Sequence, residues 1–138
     1  MTKRLAILCD IDGTLALRGE RGPHDHDRSI EDAVNWPLVD VLHLFHDKAL
    51  LFVSGREVKY RAMTEYWLQV HRLHLHWQEL FMRATDDVRP DNEVKREMYQ
   101  THIEPRYTVL CVFDDRNRVV QMWRELGLLC FQVAEGDF

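Results

Sequence analysis

Asp10 and Asp12 stand two positions apart at the end of an apolar run, Leu5-Ala6-Ile7-Leu8-Cys9. A run of that kind reads as a buried strand. On an extended strand, residues two apart point to the same side, so both carboxylates converge just past the strand tip. Two like charges held that close repel, and one pKa rises unless a cation lies between them. Such a pair can hold a metal, or divide into a nucleophile and a proton carrier. Gly13 and Thr14 follow and let the backbone turn closely around a bound anion. Two more apolar runs end in polar groups: Leu50 to Val53 leads into Ser54-Gly55-Arg56, and Val109 to Phe113 into Asp114-Asp115-Arg116.

The elements that must position these groups alternate along the chain. Pro37 opens a helix to about Lys48, with Leu38, Val41, Leu42 and Phe45 inward. A long helix from Glu57 to His74 follows, striped by Met63, Tyr66, Trp67, Val70 and Leu73. Glu79 to Met82 reads as a third strand. Asp91 caps a helix running to His102, with Val94, Met98 and Ile103 inward. Val119, Val120, Trp123 and Leu126 stripe the next helix, closed by Gly127, and Leu128 to Val133 is a fifth strand. Strands alternating with helices predict an α/β fold: an open, mostly parallel five-stranded sheet with helices on both faces. Ligands bind such sheets at the carboxyl ends of the strands, where the three polar groups fall. The polar segment Arg18 to Arg28, within a flap at about 17–34, has glycines, a proline and alternating charges and reads as a mobile loop over that end.

The chain has 138 residues and fits one domain spanning 1–138. A net charge of −5 offers no footprint for wrapping nucleic acid nonspecifically, though a few local arginines can still hold one strand terminus. Cys9, Cys111 and Cys130 are odd in number and widely spaced, which suits core residues in a reducing compartment. No stretch is apolar enough to span a membrane, and the N-terminal apolar run stops too early for a signal peptide. A cytoplasmic protein is expected, in the host cytoplasm if phage-encoded.

Taken in order, Asp10-Ile11-Asp12-Gly13-Thr14, Ser54, Lys95 and the acidic pair Asp114-Asp115 resemble the four motifs of the haloacid dehalogenase superfamily of phosphotransferases. The chemistry agrees. A phosphomonoester is a stable dianion, so a site must neutralise charge, supply a nucleophile and protonate the departing alkoxide. Mg²⁺ suits the first task, with Asp10, Asp114 and the main-chain carbonyl of Asp12 as ligands. Asp115 stands beside them as a further catalytic group, and the order of the two adjacent carboxylates is left open. Asp10 can attack phosphorus and form an aspartyl-phosphate, while Asp12 works as general acid and then base. Ser54, Lys95 and the amides around Gly13 and Gly55 can hold the phosphoryl oxygens.

The chain further resembles the 3′-phosphatase domains of the bacteriophage polynucleotide kinase–phosphatase family. The matching segments are DIDGTLA at Asp10 to Ala16, RGP at Arg21 to Pro23 and SGRE at Ser54 to Glu57. Arg83, RPDNEVK with Arg89, Asp91 and Lys95, DDR at Asp114 to Arg116, VVQMWR at Val119 to Arg124 and the terminal FQVAEGDF complete the set. The resemblance implies removal of 3′-phosphates, and action on 2′,3′-cyclic phosphates, at DNA or RNA ends. It marks Arg21, Arg56, Asp91, Asp114 and Asp115 as active-site residues and carries over Arg83 and Arg116 more weakly, alongside Thr14 and Gly55 in the phosphate cradle. Arg21 and Arg56 can fork onto phosphate oxygens, and Asp91, one turn before Lys95, can orient its ammonium. A short flap in place of a large cap leaves room for a strand end.

No G-x-x-x-x-G-K-[ST] occurs, so 5′-phosphorylation is not expected of this chain, and a separate polynucleotide kinase or ligase is the expected functional partner. The family assembles through both its domains, so a homodimer is compatible with the resemblance. The rival readings are a small-molecule phosphomonoesterase of the same superfamily and a noncatalytic module that binds phosphorylated ends. His71, His74 and His76 read as solvated, as do His24 and His26 in the flap. Trp67, Trp77 and Trp123 read as core or groove wall.

Overall fold

The computed structural model describes residues 2–71 and 75–138. Five strands form one parallel sheet: β1 (Arg4–Cys9), β4 (Ala49–Glu57), β5 (Trp77–Arg83), β6 (Tyr107–Asp114) and β7 (Cys130–Gln132), in the order β5-β4-β1-β6-β7. The predicted α/β architecture is present. From β1 the chain builds outward through β4 and β5, then returns to build the other half through β6 and β7. The order therefore reverses beside β1, between β1 and β6, which is where ligand crevices open in such sheets.

Alternation along the central strands explains why they read as unbroken apolar runs: both faces are covered. Ile7 and Cys9 of β1, with Leu50 and Phe52 of β4, enter a core roofed by α1 (Trp36–His43) and α2 (Arg61–Val70). Ala6 and Leu8, with Leu51 and Val53, enter a second core under α3 (Asp91–Met98) and α4 (Asn117–Glu125). Trp67 and Trp123 are buried, one in each core, and Trp77 packs on the first. A wide turn, Tyr99–Ile103, extends α3 toward β6.

The flap has more structure than a polar loop suggests. Its base is a small antiparallel pair, β2 (Ala16–Leu17) with β3 (Ala33–Val34), and a 3₁₀ turn spans His26–Glu31. Arg21, Ser29 and Asp32 are buried within it. Asn35 closes the base, its amide donating to the Thr14 carbonyl at 2.9 Å.

Several sequence expectations are corrected. The first helix ends at His43, and Leu38, Val39 and Leu42 face the core; Val39 takes the inward place, which turns Val41 to the surface. On α2 the buried positions are Thr64, Trp67 and Leu68, so Tyr66 and Val70 are exposed. A polar residue displaces the apolar stripe there because Thr64 serves the site described below. Leu73 and His74 lie outside the described residues. Strand β4 runs on to Glu57, so Ser54 and Gly55 belong to it.

These placements have a direct stability consequence. Leu42→Ala should cost about 2–5 kcal/mol in urea unfolding, the range for a buried leucine. Val41→Ala should change stability by less than about 0.5 kcal/mol.

Candidate active site

Three carboxylates meet at the switch point. Oxygens of Asp10, at the tip of β1, and of Asp114 and Asp115, at the tip of β6, all lie within 4.8 Å of one another, and all three residues are buried. Chain segments about a hundred residues apart are joined because β1 and β6 are neighbours. The Lys95 ammonium, from α3, donates to Asp10 at 2.8 Å and to Asp114 at 3.0 Å. Asp114 also accepts the Trp123 indole N–H at 3.2 Å and the Asp115 amide at 2.8 Å. The Thr14 hydroxyl lies 2.9 Å from Asp10 and 3.2 Å from Asp115. Three carboxylates against one ammonium leave a surplus of negative charge. Burial, then the Asp114 charge, pushes the Asp10 carboxyl well above its ordinary value, and burial raises Asp115. Burial disfavours the Lys95 ammonium, but Asp10, Asp114 and Asp91 outweigh it and raise its pKa. A divalent cation among these oxygens would cancel the surplus, and the all-oxygen donor set suits a hard metal ion.

Asp12 has a different setting. Arg56 grips it with two N–H groups, at 2.8 and 2.7 Å, and Arg21 adds a third at 2.8 Å. Burial opposes ionisation, but the Arg56 hydrogen bonds and charge outweigh it, and the Asp12 carboxyl is held below its ordinary value. A second acid, Asp32, balances the two guanidiniums: Arg21 reaches it at 2.7 and 2.8 Å and Arg56 at 3.5 Å. Asp32 is buried, and its carbonyl accepts the Trp67 indole N–H at 2.9 Å. Thr64 accepts from Arg56 at 2.9 Å and donates to the Tyr60 carbonyl at 2.8 Å. Arg21 gives its remaining N–H groups to the carbonyls of Gly22 and Asp25. The expected fork of Arg21 and Arg56 onto phosphate is thus not their occupation here. They form a cage around Asp12.

A third cluster surrounds Asp91. Arg83 pairs with one carboxylate oxygen, and Arg116 donates to the other at 2.8 Å. Arg83 also donates to the carbonyls of Gly55, Asp87 and Arg89, tying β4, β5 and the next loop together. Asp91 was expected to orient Lys95 directly. Its carboxylate bonds these arginines instead and acts on Lys95 through its charge. Gly55 is required for close approach: a Cβ there would lie 2.5 Å from the Asp91 carboxylate. Gly13, at φ +79°, lies under Asp115 in the same manner.

A cavity of about 470 Å³ opens above these groups. Asp10, Asp12, Gly55, Arg83, Asp91, Lys95, Asp114, Asp115 and Arg116 line it. Thr14, Arg21, Ser54 and Arg56 lie behind the wall, all buried, with the Ser54 hydroxyl accepting the Arg56 amide at 3.1 Å. Arg18 and Arg116 flank the ring of Phe138 at the mouth, 5.2 and 4.4 Å from its centroid. His26, read from the sequence as solvated, also lines the cavity.

Residues 4–138 match the family of the phosphatase domain of polynucleotide kinase PNKP, a domain of the haloacid dehalogenase type. The chain belongs to this family. A curated relative from Autographa californica nuclear polyhedrosis virus, bearing the name of a bifunctional polynucleotide kinase/RNA ligase, is 34% identical over 127 residues. That alignment covers 89% of this chain and 18% of the viral protein. Two solved structures of a Pnkp1/Rnl/Hen1 complex, one described as an RNA repair complex, superpose with TM-scores of 0.92 and 0.93 at 40% identity. Each match covers 99% of this chain and 44% or 48% of the other. The chain thus spans less than half the length of these relatives. It is a phosphatase domain, a phosphoric monoester hydrolase, and phosphatases of this type generally use a divalent metal, which the acidic trio fits.

Sequence reasoning missed Asp32 and Thr64. Neither stands in a motif or beside a strand end that reads as a site, and only the folded flap brings them to Asp12. The Asp91 clamp offers a test by pH. Burial resists ionisation of Asp91, but Lys95, Arg116 and Arg83 hold its pKa below the ordinary 3.8. Its contribution to stability is therefore present above that value and lost as pH falls through the lowered one. Asp91→Asn should destabilise the domain by about 2 kcal/mol at pH 7. The gap to wild type should narrow in unfolding experiments taken below pH 3.8.

Proposed function

We propose that this domain removes the 3′-phosphate from RNA ends, using Mg²⁺ and an aspartyl-phosphate formed on Asp10. The observation that carries the reading is the meeting of Asp10, Asp114, Asp115 and Lys95 in one open cavity beneath a short flap. A large cap would enclose a small metabolite, whereas this mouth admits a strand terminus. The relatives' association with RNA ligation and repair favours RNA over DNA as substrate.

Mg²⁺ held by Asp10, Asp114 and the Asp12 carbonyl would neutralise phosphate oxygens and the attacking carboxylate. Asp10 attacks phosphorus, the bond from phosphorus to the 3′ oxygen breaks, and Asp12, which takes up a proton from solvent as the phosphate dianion arrives, gives that proton to the oxygen. Water then attacks the phosphorus of the aspartyl-phosphate, Asp12 takes the water's proton, and Asp10 is released. The guanidinium cage lowers the proton affinity of Asp12, and an arriving phosphate dianion raises it. Asp12 is thereby poised to exchange a proton in both directions. Lys95 stays charged throughout and faces the developing charge.

The product is a 3′-hydroxyl, the end that a ligase requires, so we place the domain in functional partnership with a polynucleotide kinase or RNA ligase. The buried free thiols of Cys9, Cys111 and Cys130 accord with a reducing cytoplasm.

Phosphate release from a 3′-phosphorylated RNA oligonucleotide tests the reading. Asp10→Asn should lower turnover by about 10⁴-fold or more. Asp12→Asn should lower it by about 10²- to 10⁴-fold. Chelation should abolish the activity of the wild type and added Mg²⁺ restore it. Nucleoside monophosphates should compete poorly with the oligonucleotide, and efficient competition would instead favour a small-molecule phosphatase.

A further inference from the structure

His26 has no part in the mechanism above, yet it forms cavity wall. Its Nδ1 is sealed from solvent and has no hydrogen-bond partner, the one such side-chain atom among the described residues. A native fold seldom leaves a buried polar atom unmatched. The ring is held there by the tilted face of Tyr60, 5.5 Å away between centroids, and Tyr60 lines the same cavity. The other nitrogen, Nε2, makes no hydrogen bond to a described residue and is not among the sealed atoms, and the residue lines the cavity.

The position on the wall identifies what Nε2 would meet. Asp12 gives its proton to the departing 3′ oxygen and so marks the leaving-group side of the cavity. His26 lies within electrostatic reach of Asp12 and of the two arginines that hold it. The phosphoryl side is marked by Lys95, which stands on Asp10 and Asp114. On a terminal ribonucleotide the group next to the 3′ oxygen is the 2′-hydroxyl. A hydroxyl both donates and accepts, so it matches Nε2 whichever nitrogen carries the ring proton. A deoxyribose end has nothing to offer there.

We infer that His26 is a specificity-determining residue whose Nε2 hydrogen-bonds the 2′-hydroxyl of the terminal nucleotide and favours RNA over DNA ends. The inference rests on the 3′-phosphatase reading and extends it to the sugar.

The test compares kcat/KM on 3′-phosphorylated RNA and DNA oligonucleotides of one sequence, for the full wild-type chain, His26→Ala and His26→Gln. The readout is the RNA-to-DNA ratio within each protein, which a partly unfolded preparation leaves unaltered. The ratio should fall about fivefold in His26→Ala, the worth of one neutral hydrogen bond. It should recover in His26→Gln, whose amide reaches the place of Nε2. An unchanged ratio in His26→Ala, or a fall that His26→Gln does not reverse, overturns the assignment while leaving the 3′-phosphatase reading intact. Failure of the wild type to release phosphate from either oligonucleotide overturns both.

Discussion

Buried like charge is the constraint on which this structure turns. Asp10, Asp114 and Asp115 are brought together by neighbouring parallel strands, out of water, at a distance where three ionised carboxylates repel strongly. One ammonium, Lys95, offsets part of that repulsion and is itself a large side chain sunk in the interior. The indole of Trp123, the hydroxyl of Thr14 and the Asp115 amide supply the remaining donors near the trio. A divalent cation could offset the surplus that remains, which together with burial raises the pKa of Asp10. The two cores on either side of the sheet hold the strand tips against this repulsion.

The carboxylates with other duties are kept apart electrostatically. Asp12 is caged by Arg21 and Arg56, and Asp91 is clamped by Arg83 and Arg116. Each is held below its ordinary pKa, in contrast to Asp10 and Asp115. One cavity thus contains acids of opposite tendency, Asp10 and Asp115 raised and Asp12 and Asp91 lowered. Asp32 makes the cage possible: without a second acid, two buried guanidiniums would face one carboxylate. The backbone carbonyl of Asp32 is fixed by Trp67, which joins the cage to the core beneath α2.

Much of this was legible beforehand because it follows from local chemistry. Apolar runs ending in Asp10 and Asp114 located two strand ends, the run before Ser54 located a third strand that continues to Glu57, and alternation with helices implied the parallel sheet that brings them together. The resemblance to the phosphatase family and the phosphatase activity class were likewise readable. What escaped depends on long-range geometry. Hydropathy counts Tyr66 and Val70 as inward and passes over Thr64, but in the fold Thr64 is buried and accepts from Arg56. Arginines beside a phosphate motif suggest phosphate ligands, yet in the fold Arg21 and Arg56 find Asp12 and Asp32 first. The flap reads as polar loop, while its acids and bases neutralise one another inside the protein. In each case a buried polar partner, invisible in a linear pattern, decides the outcome.

Thermal unfolding across a Mg²⁺ titration tests the central claim most directly, because a cation that binds only the folded trio must stabilise it. The wild-type melting temperature should climb with Mg²⁺ and level off at saturation, and the climb should vanish in Asp114→Asn. A wild-type chain indifferent to divalent ions, or a variant that responds as the wild type does, would contradict a metal site built on Asp10 and Asp114.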